Sequence, residues 1–325
     1  MTMTADPAGL VSRAGRLMVE RPLIPLVLLL FGLIGVLELM NPGIVNRLWF
    51  ANTIKAAIPL AMLAACQTLT MLTGGIDLSA GTVATITAFV VATMVPQVGV
   101  PAAVLIGLGC AVLAGLVNGF GVAVARVHPL IMTLGTGLIA NGCLLVYQRF
   151  VIATGTKIPD FLIWLGIGRT FGLPNGLFLF IPFAGLLIWA QRRTGFGRLL
   201  YAIGSNEAAT RVSGVRSGQV FFALYALSGI IAGITGLLYL GIFKTVSLSL
   251  ALPLDLPSVA AAVVGGTSIF GGRGGYGGTI VGALILTVLA TMLTLLQMPE
   301  GARRIIFGLI ILAVTALYVR LTDRG

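Results

Sequence analysis

Few side chains in this sequence could take part in acid–base, nucleophilic or metal chemistry. Among 325 residues there are nine acidic residues, one histidine and three cysteines. Cys66, Cys110 and Cys143 are widely spaced within apolar runs and lack the spacing of metal ligands. His128 precedes a proline at a predicted helix junction, which favours a structural role over a proton relay. The sequence contains no phosphate-binding loop, no H-E-x-x-H and no C-x-x-C. We therefore expect no catalytic residues, no metal site and no resident cofactor.

One acidic residue lies in an unusual place. Asp77 follows Gly74 and Gly75 and precedes Ser79, between two apolar runs. In one interpretation Asp77 or Ser79 caps the next helix, and the glycines supply the backbone freedom of a turn. In the other, the segment is a re-entrant element that lines a pathway or its inner mouth, as broken membrane helices often do. Both interpretations stay open, since one residue can serve both.

A second break covers residues 265–279, of which eight are glycine. It begins with Gly265, Gly266 and Thr267, and a regular membrane helix cannot continue through it. It is either a tight turn between closely packed helices or a second pathway or gating turn. Both breaks begin with Gly-Gly and both contain Gly-Thr, which is a weak hint of an internal repeat.

The segment 191–218 is the only substantial polar stretch between the apolar runs. A short helix-forming sequence is followed there by a glycine stop, among several arginines. These residues are Asn206, Glu207, Ala208 and Ala209, then Ser213 and Gly214. The segment either anchors phospholipid headgroups or forms a docking helix for a cytoplasmic partner.

The composition requires a lipid environment around these motifs. Hydrophobic residues make up 58% of the chain and charged residues only 9%, whereas soluble domains carry about 25% charged residues. The net charge of +11 is too scattered for a nucleic-acid surface. The sequence thus predicts an all-α, polytopic membrane bundle of about ten transmembrane helices.

The predicted domain organisation is simple. Residues 1–21 form a cytoplasmic N-terminal segment, 22–320 a single transmembrane domain and 321–325 a cytoplasmic tail, because the basic residues are denser on that side. An uncleaved first helix follows the N-terminal arginines, since no small-x-small cleavage site is present. The predicted spans are 22–40, 56–73, 79–96, 101–125, 129–147, 176–191, 219–243, 256–272, 277–297 and 302–320.

Five ordered motifs within residues 44–320 give the chain a family resemblance. They are Leu72–Gly81, Gly115–Gly119 with Asn118, His128–Thr136, the stretch from Thr194–Arg198 to Gly214, and Val263–Gly272. In these motifs the chain resembles the permease subunits of bacterial ATP-binding-cassette importers for simple sugars, the ribose, xylose, arabinose and galactose group. The resemblance implies a fold of the type II importer class in the bacterial inner membrane.

The resemblance also implies partners and residue roles. Two permeases would pair, as a homodimer or with a related subunit, and a periplasmic sugar-binding protein would deliver the cargo. A separate cytoplasmic ATPase, which carries the ATP and Mg²⁺, would bind the 191–218 loop as a coupling element. The two glycine breaks and Asn118 would then belong to the pathway or its gate.

Two other functions stay open. A related permease could carry a branched-chain amino acid, a nucleoside or a furanone signal. A self-sufficient channel or secondary transporter is disfavoured, because few ionisable residues fall inside the predicted spans.

Overall fold

A computed structural model of the chain describes residues 23–151, 155–299, 301–303, 305–306, 308–309 and 312. The predicted terminal segments 1–21 and 321–325, and most of the predicted span 302–320, lie outside these residues. The described residues between 301 and 312 are all helical.

Helices make up most of the described structure. In chain order they are α1 Leu23–Met40, α2 Arg47–Leu72, α3 Ala80–Val98, α4 Val100–Ala123, α5 Pro129–Val151, α6 Asp160–Ile167, α7 Gly176–Arg193, α8 Gly195–Ser205, α9 Glu207–Val212, α10 Ser217–Phe243, α11 Asp255–Val264 and α12 Tyr276–Leu295. A small antiparallel hairpin pairs β1 Arg169–Thr170 with β2 Leu173–Pro174, and a 3₁₀ turn, Leu252–Leu254, precedes α11.

The predicted polytopic helical bundle is confirmed. Within the described residues, seven helices are long and apolar enough to cross a membrane, namely α1, α2, α3, α4, α5, α10 and α12. The predicted span 176–191 corresponds to α7, which has 18 residues and carries Arg192 and Arg193 in its last turn. The predicted number of about ten spans is therefore approximate.

One predicted span, 256–272, is wrong as a continuous helix. α11 has only 10 residues, and the chain after Val264 is not helical until Tyr276. Gly266 and Gly271 adopt φ values of +87° and +92°, which a right-handed helix cannot contain. A helix of this length is about 15 Å long, half the thickness of a hydrocarbon core.

Helix α10 is the centre of the bundle. It packs against α2, α3 and α4, and most of its residues are buried. Gly115 of α4 lies against the backbone of Tyr225, and Gly229 lies against the backbone of Ala111, with no room for a Cβ atom at either glycine. Such small residues let membrane helices approach closely where apolar burial alone cannot drive association. By contrast, α1, α4 and α5 leave most of their surface outside the bundle.

Candidate functional site

The first glycine break is built around the carboxylate of Asp77. Asp77 is buried, and its Oδ1 accepts hydrogen bonds from the backbone N–H of Ser79 at 3.1 Å and from Ser79 Oγ at 2.6 Å. Its Oδ2 accepts a hydrogen bond from Ser228 Oγ of α10 at 2.6 Å. This carboxylate therefore ties the break to the central helix.

Polar side chains from three further helices hold the rest of this break. Gln67 of α2 donates from Nε2 to the carbonyl oxygen of Asp77 at 2.8 Å and accepts from the Asp77 N–H at 3.2 Å. Thr133 of α5 accepts from the Leu78 N–H and donates to a backbone carbonyl of the break. Asn118 of α4 donates to Ser79 Oγ at 2.8 Å. The non-helical backbone is thus satisfied by protein groups, as membrane interiors require.

Two polar atoms beside this network are unsatisfied in the described structure. They are the carbonyl oxygen of Asn118 and the hydroxyl of Tyr225, and both side chains are buried. Buried polar groups normally have partners, so unpaired ones identify places where the packing can change or where water enters. Both atoms lie around the predicted pathway residues.

The N-terminus of α3 is capped from a distant part of the chain. Ser79 occupies the N-cap position, but its side chain makes no capping bond. Instead Asp255, the first residue of α11, accepts a hydrogen bond from the Gly81 N–H at 2.7 Å. A Cβ atom at Gly81 would collide with this carboxylate. The short helix α11 and the N-terminus of α3 are therefore joined by a side-chain hydrogen bond.

The second break is a site of close backbone packing. A Cβ atom on Gly265 would fall 2.5 Å from backbone atoms of Gly278 and Thr279. Gly272 donates its N–H to the carbonyl oxygen of Leu72, the last residue of α2, at 3.0 Å. The two breaks that the sequence marks are therefore in direct contact.

Helix α8 lies against both breaks. The Cα atom of Gly204 faces the Leu72 carbonyl oxygen and the Gly272 backbone nitrogen, so that a Cβ atom there would overlap Leu72 O and lie 2.5 Å from Gly272 N. Tyr201 donates from its hydroxyl to the carbonyl oxygen of Gly274 at 2.8 Å. Burial raises the pKa of this phenol, which keeps it protonated as a donor.

The predicted coupling residues form one short helix, α9, next to α8. Asn206 is its N-cap and accepts a hydrogen bond from the Ala209 N–H at 2.9 Å. Gly214 ends it with φ +86°, and Glu207 Oε1 accepts from Ser217 Oγ at 2.9 Å. Ser213 bonds back to the Ala209 carbonyl oxygen. The side chains of Glu207, Ala208 and Ala209 are exposed, so the element can contact another molecule.

Several residues of this site were not identified from the sequence. Gln67, Thr133 and Ser228 are polar residues within membrane helices. Their polar side chains inside apolar spans are a sequence signal that would have identified them. Gly204 carries no comparable signal, since its importance comes from contacts with residues distant in sequence. Among the described residues no group of three or more His, Cys, Asp or Glu is placed to hold a metal ion.

Comparison with known proteins identifies relatives over nearly the whole chain. Residues 50–315 match a family described as branched-chain amino acid transport system, permease component. The chain is 34% identical over 302 residues to the ribose import permease of Escherichia coli K12, covering 91% of this chain and 92% of that protein. It is 29% identical to the fructose import permease of Rhizobium meliloti, covering 90% and 84%. It is 33% identical to the galactofuranose transporter permease of Escherichia coli K12, covering 81% and 77%. No solved structure matches.

Proposed function

The chain belongs to the family described as branched-chain amino acid transport system, permease component, and because several of its relatives are named as sugar permeases, we propose that it imports a simple sugar, a pentose or hexose. It is a multi-pass protein of the inner membrane and the permease subunit of an ATP-binding-cassette importer. Three of its relatives are named for ribose, fructose and galactofuranose. A branched-chain amino acid is the second candidate cargo, because the family description names it.

The observation that carries the mechanism is the contact of α8 with both glycine breaks. Gly204 lies against Leu72 at the first break and Gly272 at the second. A partner that moves α9 moves α8 with it, because only Asn206 separates these helices. ATP binding and hydrolysis on a separate ATPase, which holds the ATP and Mg²⁺, would supply that movement. The permease would then shift between inward-facing and outward-facing populations.

The two breaks act as the gate in this proposal. Gly74, Gly75, Asp77 and Ser79 form the first part, and Gly265, Gly266 and Thr267 form the second, with Asn118 beside them. Asp77 is buried and paired in the described conformation. A substrate contact at Asp77 therefore requires the break to separate from α10. The hydrogen bond between Asp77 and α10, which closes the gate, would re-form once the cargo has passed.

The proposed mechanism requires three partners around this chain. The α8–α9 face would be cytoplasmic and bind the ATPase, and both termini would lie on that side. A second permease, identical or related, would complete the pathway within the lipid bilayer. A periplasmic sugar-binding protein would dock on the opposite face and choose the cargo. Nucleic acid has no role in this assembly.

Co-purification and reconstitution test the proposal together. The chain is co-expressed with candidate ATPases, and the complex is placed in liposomes with candidate binding proteins. We expect an ATPase to co-purify, and ATP to drive uptake of a labelled monosaccharide. Uptake of leucine but not of sugar would favour the second candidate. Failure of every candidate ATPase to co-purify would reject the importer role, whatever the cargo.

A further inference from the structure

A cavity of about 550 Å³ lies between α9, the turn that joins α4 to α5, and the first glycine break. Its lining includes the apolar residues Val122 and Phe221, both buried. Its rim carries three arginines, Arg126, Arg211 and Arg216. Among the described residues that line it, Glu207 is the only carboxylate, and one of its oxygens already accepts a hydrogen bond from Ser217. The cavity therefore combines apolar residues with a net positive charge.

The three guanidinium groups have no internal partner. Across the described residues, none of them makes a hydrogen bond or an ion pair, and all three are exposed. Arginine prefers oxyanions that can accept two parallel N–H bonds, such as phosphate diesters and carboxylates. Three unpaired guanidinium groups around one cavity are therefore suited to bind an oxyanion.

The backbone at Arg126 has an unusual conformation that fixes this residue beside the cavity. Arg126 has φ +53°, in the left-handed region that residues other than glycine rarely adopt. This conformation is unfavourable and persists only where the surrounding structure imposes it. It occurs in the turn after α4, at the rim of the cavity.

The depth of the cavity identifies the class of ligand. Thr73, Ala123, Pro129 and Ser217 all line it, and each lies at or next to the end of a membrane-crossing helix. Helix α10 has 27 residues and is about 40 Å long, so its ends extend past a hydrocarbon core of about 30 Å into the headgroup layer. Apolar residues and exposed arginines in one cavity at the helix ends match an anionic phospholipid, which carries its glycerol and acyl chains next to its phosphate.

We propose that this cavity binds the phosphate-bearing headgroup of an anionic phospholipid, such as phosphatidylglycerol. The bound lipid contacts Arg211 of α9 and Arg126 of the α4–α5 turn together. It therefore links the coupling element to the wall of the first break, next to Gly74. This consequence for transport rests on the proposed function, whereas the binding itself does not.

Native mass spectrometry of the purified full chain in detergent tests the binding. The chain is titrated with phosphatidylglycerol and with phosphatidylcholine of the same acyl chains, and bound lipids are counted. We expect a preference for phosphatidylglycerol, and about a fivefold weaker affinity in each of Arg126→Gln, Arg211→Gln and Arg216→Gln, since one basic residue near a headgroup contributes about 1 kcal/mol. The matched control is the triple variant Arg192→Gln, Arg193→Gln, Arg198→Gln, whose arginines lie outside this cavity.

The outcomes separate the explanations. A preference for phosphatidylglycerol that the cavity variants lose and the control triple keeps supports the site. Equal loss in both sets overturns it, because the attraction would then be a diffuse surface charge. Displacement of the lipid by millimolar inorganic phosphate overturns the lipid assignment and identifies a small-anion site. An unmodified chain that shows no preference for phosphatidylglycerol but still carries out ATP-driven uptake would reject this inference alone. Absent uptake with intact lipid binding would reject the proposed function alone.

Discussion

Gly204 lies in backbone contact with the carbonyl oxygen of Leu72, although the two residues are far apart in the sequence. Leu72 is the last residue of α2, and its carbonyl oxygen also accepts the N–H of Gly272 from the second break. One carbonyl group therefore joins the ends of three elements: a membrane helix, the coupling region and a glycine-rich turn. Movement of α8 cannot leave either break undisturbed.

We expect Gly204→Ala to impair transport, because its Cβ atom would overlap the Leu72 carbonyl oxygen. Overpacking of this kind costs about 1–3 kcal/mol of stability or forces α8 away from the breaks. The measurements are ATP-driven uptake in proteoliposomes and the thermal denaturation midpoint in detergent. The matched control is Gly195→Ala in the same helix, where no atom lies within 4 Å of the added Cβ. Equal uptake in both variants would contradict a role for this contact.

Ser228→Ala should destabilise the protein, because Asp77 Oδ2 would lose its one described hydrogen-bond donor. Leaving a buried acceptor unpaired costs about 1–3 kcal/mol. The free energy of unfolding is measured by denaturation in mixed micelles. Ser249→Ala serves as the control, since Ser249 is exposed. If both serine variants unfold alike, the Asp77–Ser228 bond does not stabilise the bundle.

Asp77→Asn separates a gating role from a purely structural one. The amide keeps the shape of the side chain, and the hydroxyl of Ser228 can turn to accept a bond from it. We therefore expect nearly normal folding and assembly together with reduced uptake. Size-exclusion profiles report the folding and assembly, and proteoliposome uptake reports the transport. Wild-type uptake would support a purely structural role for Asp77 at the first break.

Asp255→Ala should weaken the connection between α11 and α3. The Gly81 N–H would lose its acceptor, and loss of a helix cap costs about 1 kcal/mol. Thermal denaturation checks the effect, with Asp160→Ala as a control, because Asp160 is an exposed acidic residue in the first turn of α6. An unchanged midpoint in Asp255→Ala would mean that water replaces the carboxylate.

Glu207→Gln and Gly214→Ala should uncouple ATP hydrolysis from uptake while the protein still inserts. The first weakens the acceptor for Ser217, and the second places a side chain at φ +86°, which costs about 1 kcal/mol. Both effects disturb α9 without touching the breaks. The ratio of ATP hydrolysed to sugar imported is the measurement, with Gly195→Ala as reference. An unchanged ratio in both variants would reject α9 as the coupling element.

Local patterns in the sequence were sufficient to predict those structural elements that neighbouring residues determine. The helix ends at Gly74 and Gly214 were predictable because glycine there relieves a positive φ. The short helix over Asn206–Ala209 was predictable because asparagine caps helices. The span 256–272 was overestimated because its boundaries followed hydropathy alone, which carried it past Val264 into the glycine break that begins at Gly265.

By itself, the sequence determined that this chain lies in lipid, that it is helical, and where its helices break, since composition and glycine content act locally. Only the tertiary structure decided that both breaks meet at Leu72, that Asp255 caps α3, and that Gly204 must be a glycine. These features depend on backbone atoms from distant parts of the chain coming within contact distance. No pattern of side-chain types along the sequence encodes that distance directly.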